Sequence, residues 1–99
     1  MPLSSQQVRK LRGNAHSLKV IVTIGNNGLT DNVVNEIDNA LEQHELLKIR
    51  VNAGDRDERD EMIQAILDKT GAELIQRIGH VASLYRCNPE MPKVDPGKK

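Results

Sequence analysis

Two glycines and two asparagines, Gly25, Asn26, Asn27 and Gly28, form the segment whose residue types offer the most chemistry. They lie between an apparent strand and an apparent helix, where unpaired N–H groups and the positive end of the helix dipole point outward. Glycines let a phosphate or sugar approach the backbone closely. The segment lacks the third glycine of a dinucleotide fingerprint and the Gly-Lys-Ser/Thr ending of a P-loop. It therefore fits either an anion-binding loop or a simple strand-to-helix corner.

Other reactive side chains lack the partners that their chemistry needs. His44 lies at the edge of the apolar face of a predicted helix, as a partly buried structural histidine does, and no nucleophile is placed beside it. Cys87 is the only cysteine, so no intrachain disulfide or multi-cysteine zinc site can form. A run of acids fits a solvated helix start better than a calcium loop. Its members are Asp55, Asp57, Glu58, Asp60 and Glu61. We predict no catalytic residue, no metal site and no cofactor.

The charges of the 99-residue chain are segregated along it, although their formal sum is zero. Residues 1–28 carry four bases and no acid, residues 29–76 carry five bases and twelve acids, and residues 77–99 carry five bases and two acids. The net charges of the three segments are therefore +4, −7 and +3. If the two ends meet in the fold, they form a basic side opposite an acidic one, as in polyanion-binding proteins. Ordinary solvated faces would give the same pattern.

Three helices are predicted to position these groups. Ser4 and Gln7 form a capping box that starts the first helix. In that helix Arg9, Arg12 and His16 fall in line on a face turned away from the core. A threonine just after the glycines caps the second helix, and the acidic run begins the third.

Four strands are predicted around these helices. Residues 18–24 are largely apolar and rich in β-branched side chains, which predicts a strand that is central in a sheet or covered on both faces. In the segment LLKIRV, Lys48 and Arg50 alternate with apolar residues and face away from them. The Gly79-His80 pair predicts a closing hairpin. The order α-β-α-β-α-β-β predicts a single small α/β domain whose mixed four-stranded sheet is packed by helices.

The composition also bounds the domain and its compartment. We predict one domain over residues 1–87 and a flexible tail over residues 88–99, which hold three of the four prolines. No apolar run approaches the ~20 residues of a membrane helix. The first ten residues lack the apolar middle of a signal peptide. These features favour a cytoplasmic protein without membrane contact.

Three separated segments closely resemble the CRM domain family (chloroplast RNA splicing and ribosome maturation) in its stand-alone bacterial YhbY-type form. They are LRGNAHSLKVIVTIGNNGLT, IDNALEQHELLKIRV and IGHVASLYR, and the resemblance spans about residues 3–87 in the right order. It implies an RNA-binding domain of the same element order, similar in fold to the C-terminal domain of translation initiation factor three. The bacterial stand-alone members associate with precursors of the large ribosomal subunit.

The resemblance also implies which residues contact RNA. Carried over by position, the glycine loop of Gly25, Asn26, Asn27 and Gly28 takes part in that contact. Our own hypothesis adds that its asparagines donate to sugar or base edges. The basic surface implied with it comprises Arg9, Lys10, Arg12, His16, Lys19, Lys48 and Arg50. Phosphates would be held by these side chains and by loop N–H groups.

Three positions depart from the family's pattern. Val20 stands where members often have proline, Asn26 where a basic residue is common, and His80 where Lys or Arg is expected. These changes predict a weaker grip on phosphate and a greater dependence on RNA shape, with the fold unchanged. The chain has one tyrosine, Tyr85, and no Phe or Trp, which argues against modules that stack bases on aromatic side chains.

The leading hypothesis is a cytoplasmic, monomeric, non-enzymatic protein that binds structured ribosomal RNA in precursors of the large ribosomal subunit and acts in its assembly. It requires no small-molecule substrate. The alternative is a protein-interaction adaptor on pre-ribosomal particles, which docks through its acidic face while RNA contact is incidental. An enzyme is the least supported class because no nucleophile, base or metal set is assembled.

Overall fold

The computed structural model describes residues 4–25, 27–52 and 54–87. Its elements are α1 (Ser5–His16), β1 (Val20–Ile24), α2 (Asp31–His44), β2 (Leu46–Val51), α3 (Arg56–Thr70), β3 (Glu73–Ile78) and β4 (Val81–Tyr85). This order confirms the predicted α-β-α-β-α-β-β arrangement. The predicted flexible tail, residues 88–99, lies outside the described residues. Within the part of the chain described, no helix is long and apolar enough to cross a membrane.

Side-chain caps set where each helix begins. Ser4 accepts a hydrogen bond from the N–H of Gln7 at 3.1 Å, and the Gln7 side chain accepts one from the N–H of Ser4 at 2.9 Å, which is the predicted capping box. Thr30 caps α2 and Asp55 caps α3, each by accepting from the N–H three residues further on. These bonds satisfy donors that the first turn of a helix leaves without partners.

The four strands form one sheet in the order β1-β2-β4-β3. β1 and β2 are parallel and the other two pairs are antiparallel, which confirms the mixed sheet. The prediction that the first strand is central or covered on both faces is wrong: β1 is an edge strand, and its Ile21 is 46% exposed. The reason is that α1 packs over β2 and β3 and leaves the corresponding face of β1 open.

The sheet has a core on each face. Helices α2 and α3 cover one face, around a cluster that includes Ile24, Ile37 and Ile66. On the other face α1 covers one end, where Leu11 and Ala15 contact a smaller group. That group consists of Leu46, Ile75 and Tyr85. Burial raises the pKa of the Tyr85 phenol well above its ordinary value, so this side chain stays neutral. Because side chains alternate along a strand, the residues that follow Leu46 on this face are those at every second position of β2.

Arg86 joins the end of β4 to α2 and α3. Its Nη1 donates to the Asp38 carboxylate and to the carbonyl oxygen of Thr70 at 2.7 Å. Its Nη2 donates to the carbonyl oxygen of Asp38 and to Glu42 Oε1, both at 3.1 Å. The side chain is 20% exposed. Arg86 therefore links the end of β4 to α2 and α3 by hydrogen bonds, a structural role that the sequence pattern did not indicate.

Candidate nucleic-acid interface

The glycine loop leaves the end of β1 and turns at once toward α2. The N–H of Gly28 donates to the carbonyl oxygen of Gly25 at 3.0 Å, which closes the turn. Gly28 has a φ of 72°, in the left-handed region that favours glycine. Gly25 and Asn27 are exposed, whereas Asn26 lies outside the described residues.

A cavity of about 320 Å³ opens beside this loop. It is lined by Thr23, Gly25, Asn27, Gly28, Thr30 and Val33. Since Thr30 is the N-cap of α2, the first turn of that helix borders the cavity, and the positive end of its dipole lies there. The structure thus brings together the exposed loop backbone and a helix N-terminus, the two features from which anion binding was predicted.

Lys48 and Arg50 connect the C-terminal end of α1 to the glycine loop. Lys48 Nζ donates to the carbonyl oxygen of His16 at 3.4 Å, at the last residue of α1. Arg50 is exposed and lies in register with Thr23, which lines the cavity at the loop. Alternate positions on a strand are about 7 Å apart and point to one face. His16, Lys48 and Arg50, here called the basic strip, therefore follow one line across the open part of this sheet face.

The other cationic residues of α1 differ in their contacts and in the side of the helix on which they lie. Arg9 and Arg12 are exposed and line a groove of about 270 Å³ beside the first turns of the helix. Arg12 Nε also donates to the carbonyl oxygen of Ile75 at 3.0 Å, where the register of β3 shifts against β4. Lys10 takes part in an interaction within the protein, and helical geometry places it on the flank opposite Arg12. Arg9 and Arg12 thus share a side of α1, and Lys10 does not join them.

Lys19, just before β1, and His44, the last residue of α2, line one cavity. Lys19 is exposed and lines a separate, largely apolar cavity rather than the basic strip. His44 lines the same cavity and is exposed, so the prediction that it is partly buried is wrong. The cause is the end of α2: Glu45 follows with a φ of 61° and is itself fully buried, which leaves His44 outside.

His80 is held by the end of β2. The ring Nδ1 lies 3.0 Å from the carbonyl oxygen of Val51, and the N–H of Val51 donates to the carbonyl oxygen of His80 at 2.8 Å. Because a carbonyl oxygen only accepts, the ring nitrogen is the donor. The N–H of Asn52 donates in turn to the carbonyl oxygen of Ile24 at 2.9 Å. The hairpin turn, the end of β2 and the start of the glycine loop therefore meet at one end of the sheet, where these strands terminate or begin.

The acidic run begins α3, as predicted. Asp57 and Glu58 lie in the first turn, and Asp60 pairs with Arg77 Nε at 3.0 Å. Among the residues that the structure describes, no group of three or more His, Cys, Asp or Glu side chains could hold a metal ion. Helix α3 packs on the face opposite the basic strip. The described cations of residues 77–99 do not join that strip, because Arg77 pairs with Asp60 of α3 and Arg86 with Asp38 and Glu42 of α2. The predicted basic side made by the two ends of the chain is therefore wrong for these two arginines.

Alanine at Gly28 is expected to lower the free energy of unfolding by about 1 to 2 kcal/mol, because the φ of 72° strains any side chain. A steric clash is not the cause of this loss, since a Cβ at position 28 would lie 3.9 Å from Met62 Cε, an ordinary van der Waals distance. Alanine at Gly25 meets no atom within 4 Å and is expected to change the free energy of unfolding by less than about 0.5 kcal/mol. Urea unfolding followed by circular dichroism measures both. Equal losses for the two variants would contradict this conformational account.

The fold and the site define a small α/β domain that presents a glycine loop, a basic strip and a basic helix on one side. The chain belongs to the CRS1 / YhbY (CRM) domain family, whose family model matches residues 3–86. This confirms the resemblance drawn from the three sequence segments.

Individual relatives cover nearly the whole chain. A Haemophilus influenzae protein named "RNA-binding protein" is 46% identical over 88 residues, which are 89% of this chain and 89% of that protein. A Pseudomonas aeruginosa protein named "Probable RNA-binding protein" is 33% identical over 93 residues, or 94% of this chain and 89% of the relative. A Staphylococcus aureus protein with a solution structure shares the fold with a TM-score of 0.80 and 33% identity, over 95% of this chain and 98% of that one.

Proposed function

We propose that this protein binds structured ribosomal RNA and acts in the assembly of the large ribosomal subunit, as a cytoplasmic, monomeric and non-enzymatic protein. Membership of the CRM family and the names of the relatives support RNA as the partner. One structural observation carries the proposal. Lys48 and Arg50 form a cationic path from the end of α1 to the cavity beside the glycine loop.

The proposed site comprises the glycine loop and the seven cationic positions predicted with it. Its residues are Gly25, Asn26, Asn27, Gly28, Arg9, Lys10, Arg12, His16, Lys19, Lys48 and Arg50. Phosphates bind the basic strip and the arginines of α1, while the N–H groups around the loop cavity hold a further phosphate or sugar oxygen. The asparagine side chains of the loop donate to sugar or base edges.

The lack of exposed aromatic side chains favours folded RNA over single-stranded RNA as the ligand. Tyr85 is the only aromatic residue apart from histidine, and it is 3% exposed beneath α1. Proteins that read single strands stack bases on exposed aromatic rings, and this chain has none to offer. Recognition therefore depends on contacts that need no exposed aromatic ring, chiefly those to phosphates and sugars at a spacing that a folded RNA provides.

Binding to a fragment of large-subunit ribosomal RNA is expected to weaken strongly with salt. Each phosphate contact adds about 0.7 to 0.9 to the slope of log affinity against log salt, so five to seven contacts give a slope of roughly −4 to −6. Filter binding or fluorescence anisotropy across a potassium chloride series measures that slope. An affinity that stays flat from low to physiological salt contradicts the proposal.

A further inference from the structure

A second cavity, of about 160 Å³, lies at the start of β1, at the end of the strand remote from the glycine loop. It is lined by Leu18, Lys19, Ile21, His44, Leu46 and Leu47. Leu18 is 38% exposed and Ile21 is 46% exposed, so the apolar wall reaches solvent. The lining that the described residues supply holds a lysine and a histidine and no acid.

The open edge of β1 makes this apolar surface unusual. Among the described residues β1 pairs with β2 on one side only, so within that part of the chain its other edge offers unpaired backbone groups beside exposed aliphatic side chains. Proteins normally blunt such an edge with charge, proline or a covering element, because it otherwise attracts other chains. Exposed apolar surface next to convergent polar groups is typical of a ligand site.

The cavity lies next to the basic strip. Leu18 follows the last turn of α1 directly, where its N–H donates to the carbonyl oxygen of Ala15 at 3.0 Å. Leu46, on the opposite wall, precedes Lys48 by two positions of β2, and Lys48 Nζ reaches the end of α1. An RNA strand whose phosphate lies at Lys48 is therefore one side chain away from the mouth of the cavity.

We propose that this cavity holds one unpaired pyrimidine base of the RNA that lies on the basic strip, an inference that rests on the proposed function. An enclosed aliphatic cavity of about 150 Å³ accepts a single six-membered aromatic ring. This cavity, of about 160 Å³ and open to solvent on one side, suits the single ring of a pyrimidine better than the two rings of a purine. Unpaired bases turned out of a helix are commonly held between apolar side chains. Leu18 and Ile21 supply those walls on a chain that has no exposed aromatic ring among its described residues.

The polar lining fits the edge of a pyrimidine. Uracil and cytosine both present the O2 carbonyl, which accepts hydrogen bonds. Lys19 carries three donors and no acceptor, and the imidazole of His44 can donate from a ring nitrogen. An acidic peptide would suit the same charges, but the base is favoured because the cavity adjoins the cationic path proposed for phosphates.

The test uses one synthetic RNA hairpin made in three forms: fully paired, with a single unpaired uridine in the stem, and with a single unpaired adenosine at that position. The protein is expected to bind the uridine form about tenfold more tightly than the adenosine form, because the single-ring base fits between the cavity walls and the two-ring base does not. The double variant Leu18→Ala and Ile21→Ala removes the apolar walls without changing charge. It is expected to bind the two bulged hairpins within about twofold of each other, with an unchanged salt slope.

A matched control is available on the other edge strand. Leu74 of β3 is 41% exposed and pairs with Leu84 of the α2–α3 core, away from the cavity. Leu74→Ala is expected to retain the preference for uridine. Loss of the preference in this variant, or its retention in the double variant, overturns the inference. Thermal melting of each variant confirms that the fold is intact.

Failure of the inference and failure of the proposed function give different results. Salt-dependent binding of all three hairpins with equal affinity overturns the pyrimidine site and leaves the proposed function standing, whereas no binding to any hairpin or ribosomal RNA fragment overturns both. Methyl NMR with uridine monophosphate supplies a direct second measurement, in which the Leu18 and Ile21 signals are expected to shift. If these signals shift with protein concentration and not with the nucleotide, the surface joins two copies of the chain and the inference is wrong.

Discussion

Alanine at both Lys48 and Arg50 is expected to weaken binding to large-subunit ribosomal RNA about hundredfold at physiological salt. Each side chain contributes one charge-assisted contact of about 1.4 kcal/mol, and each such contact is tenfold in affinity. The slope of log affinity against log salt should also fall by about 1.5, since two phosphate contacts are lost. Because Arg50 is exposed and the Lys48 bond to His16 is a surface one, the free energy of unfolding should change by less than about 0.5 kcal/mol.

A charge-matched control lies on α3. Arg56 and Lys69 are exposed at the two ends of that helix, on the side of the sheet opposite the basic strip. Their double alanine variant removes the same two charges and is expected to weaken binding by no more than about threefold through net charge alone. Equal losses in the two double variants contradict a localised site. Unaltered co-sedimentation of the Lys48 and Arg50 variant with precursor subunits would favour the adaptor that docks through its acidic face.

Replacing Arg86 by methionine is expected to lower the free energy of unfolding by about 3 kcal/mol, with a fall in melting temperature of about 15 °C. The variant keeps the length of the side chain but loses its hydrogen bonds to α2 and α3. It also leaves the carbonyl oxygen of Thr70 without that donor in a buried setting. Chemical unfolding and calorimetry measure the two quantities.

The control for this variant is Arg56→Met, which makes the same change at an exposed position and is expected to shift the free energy of unfolding by less than about 0.5 kcal/mol. Below its melting temperature the Arg86 variant should bind RNA as the parent does, because Arg86 lies away from the basic strip. A stable Arg86 variant that fails to bind RNA would assign this arginine to the interface instead.

The sequence predicted the features that depend on local chemistry. The capping box at Ser4 and the cap at Thr30 involve residues three apart, and both lie where the pattern placed them. The alternation of Lys48 and Arg50 with buried residues likewise follows from the strand period alone. These signals can be read without knowing the rest of the fold.

The features that the sequence did not predict depend on residues far apart in the chain. The bond from Arg86 to Asp38 spans 48 positions and that from His80 to Val51 spans 29, and neither pair carries a local pattern. The sequence also did not predict that β1 lies at the edge of the sheet, because a β-branched run indicates a strand but not how many neighbouring strands it has. For the site, the sequence indicated the cations but not that the end of α1 touches Lys48.

The place of β2 between β1 and β4 has a consequence for the protein while it is being made. A ribosome releases the chain from its N-terminus, so β1, the glycine loop and β2 emerge well before the last strand. Until residues 81–85 join the sheet, one edge of β2 has no hydrogen-bonded partner strand. The sheet that positions Lys48 and Arg50 is then incomplete. The sheet that carries this cationic surface is therefore complete only after residues 81–85 have left the ribosome.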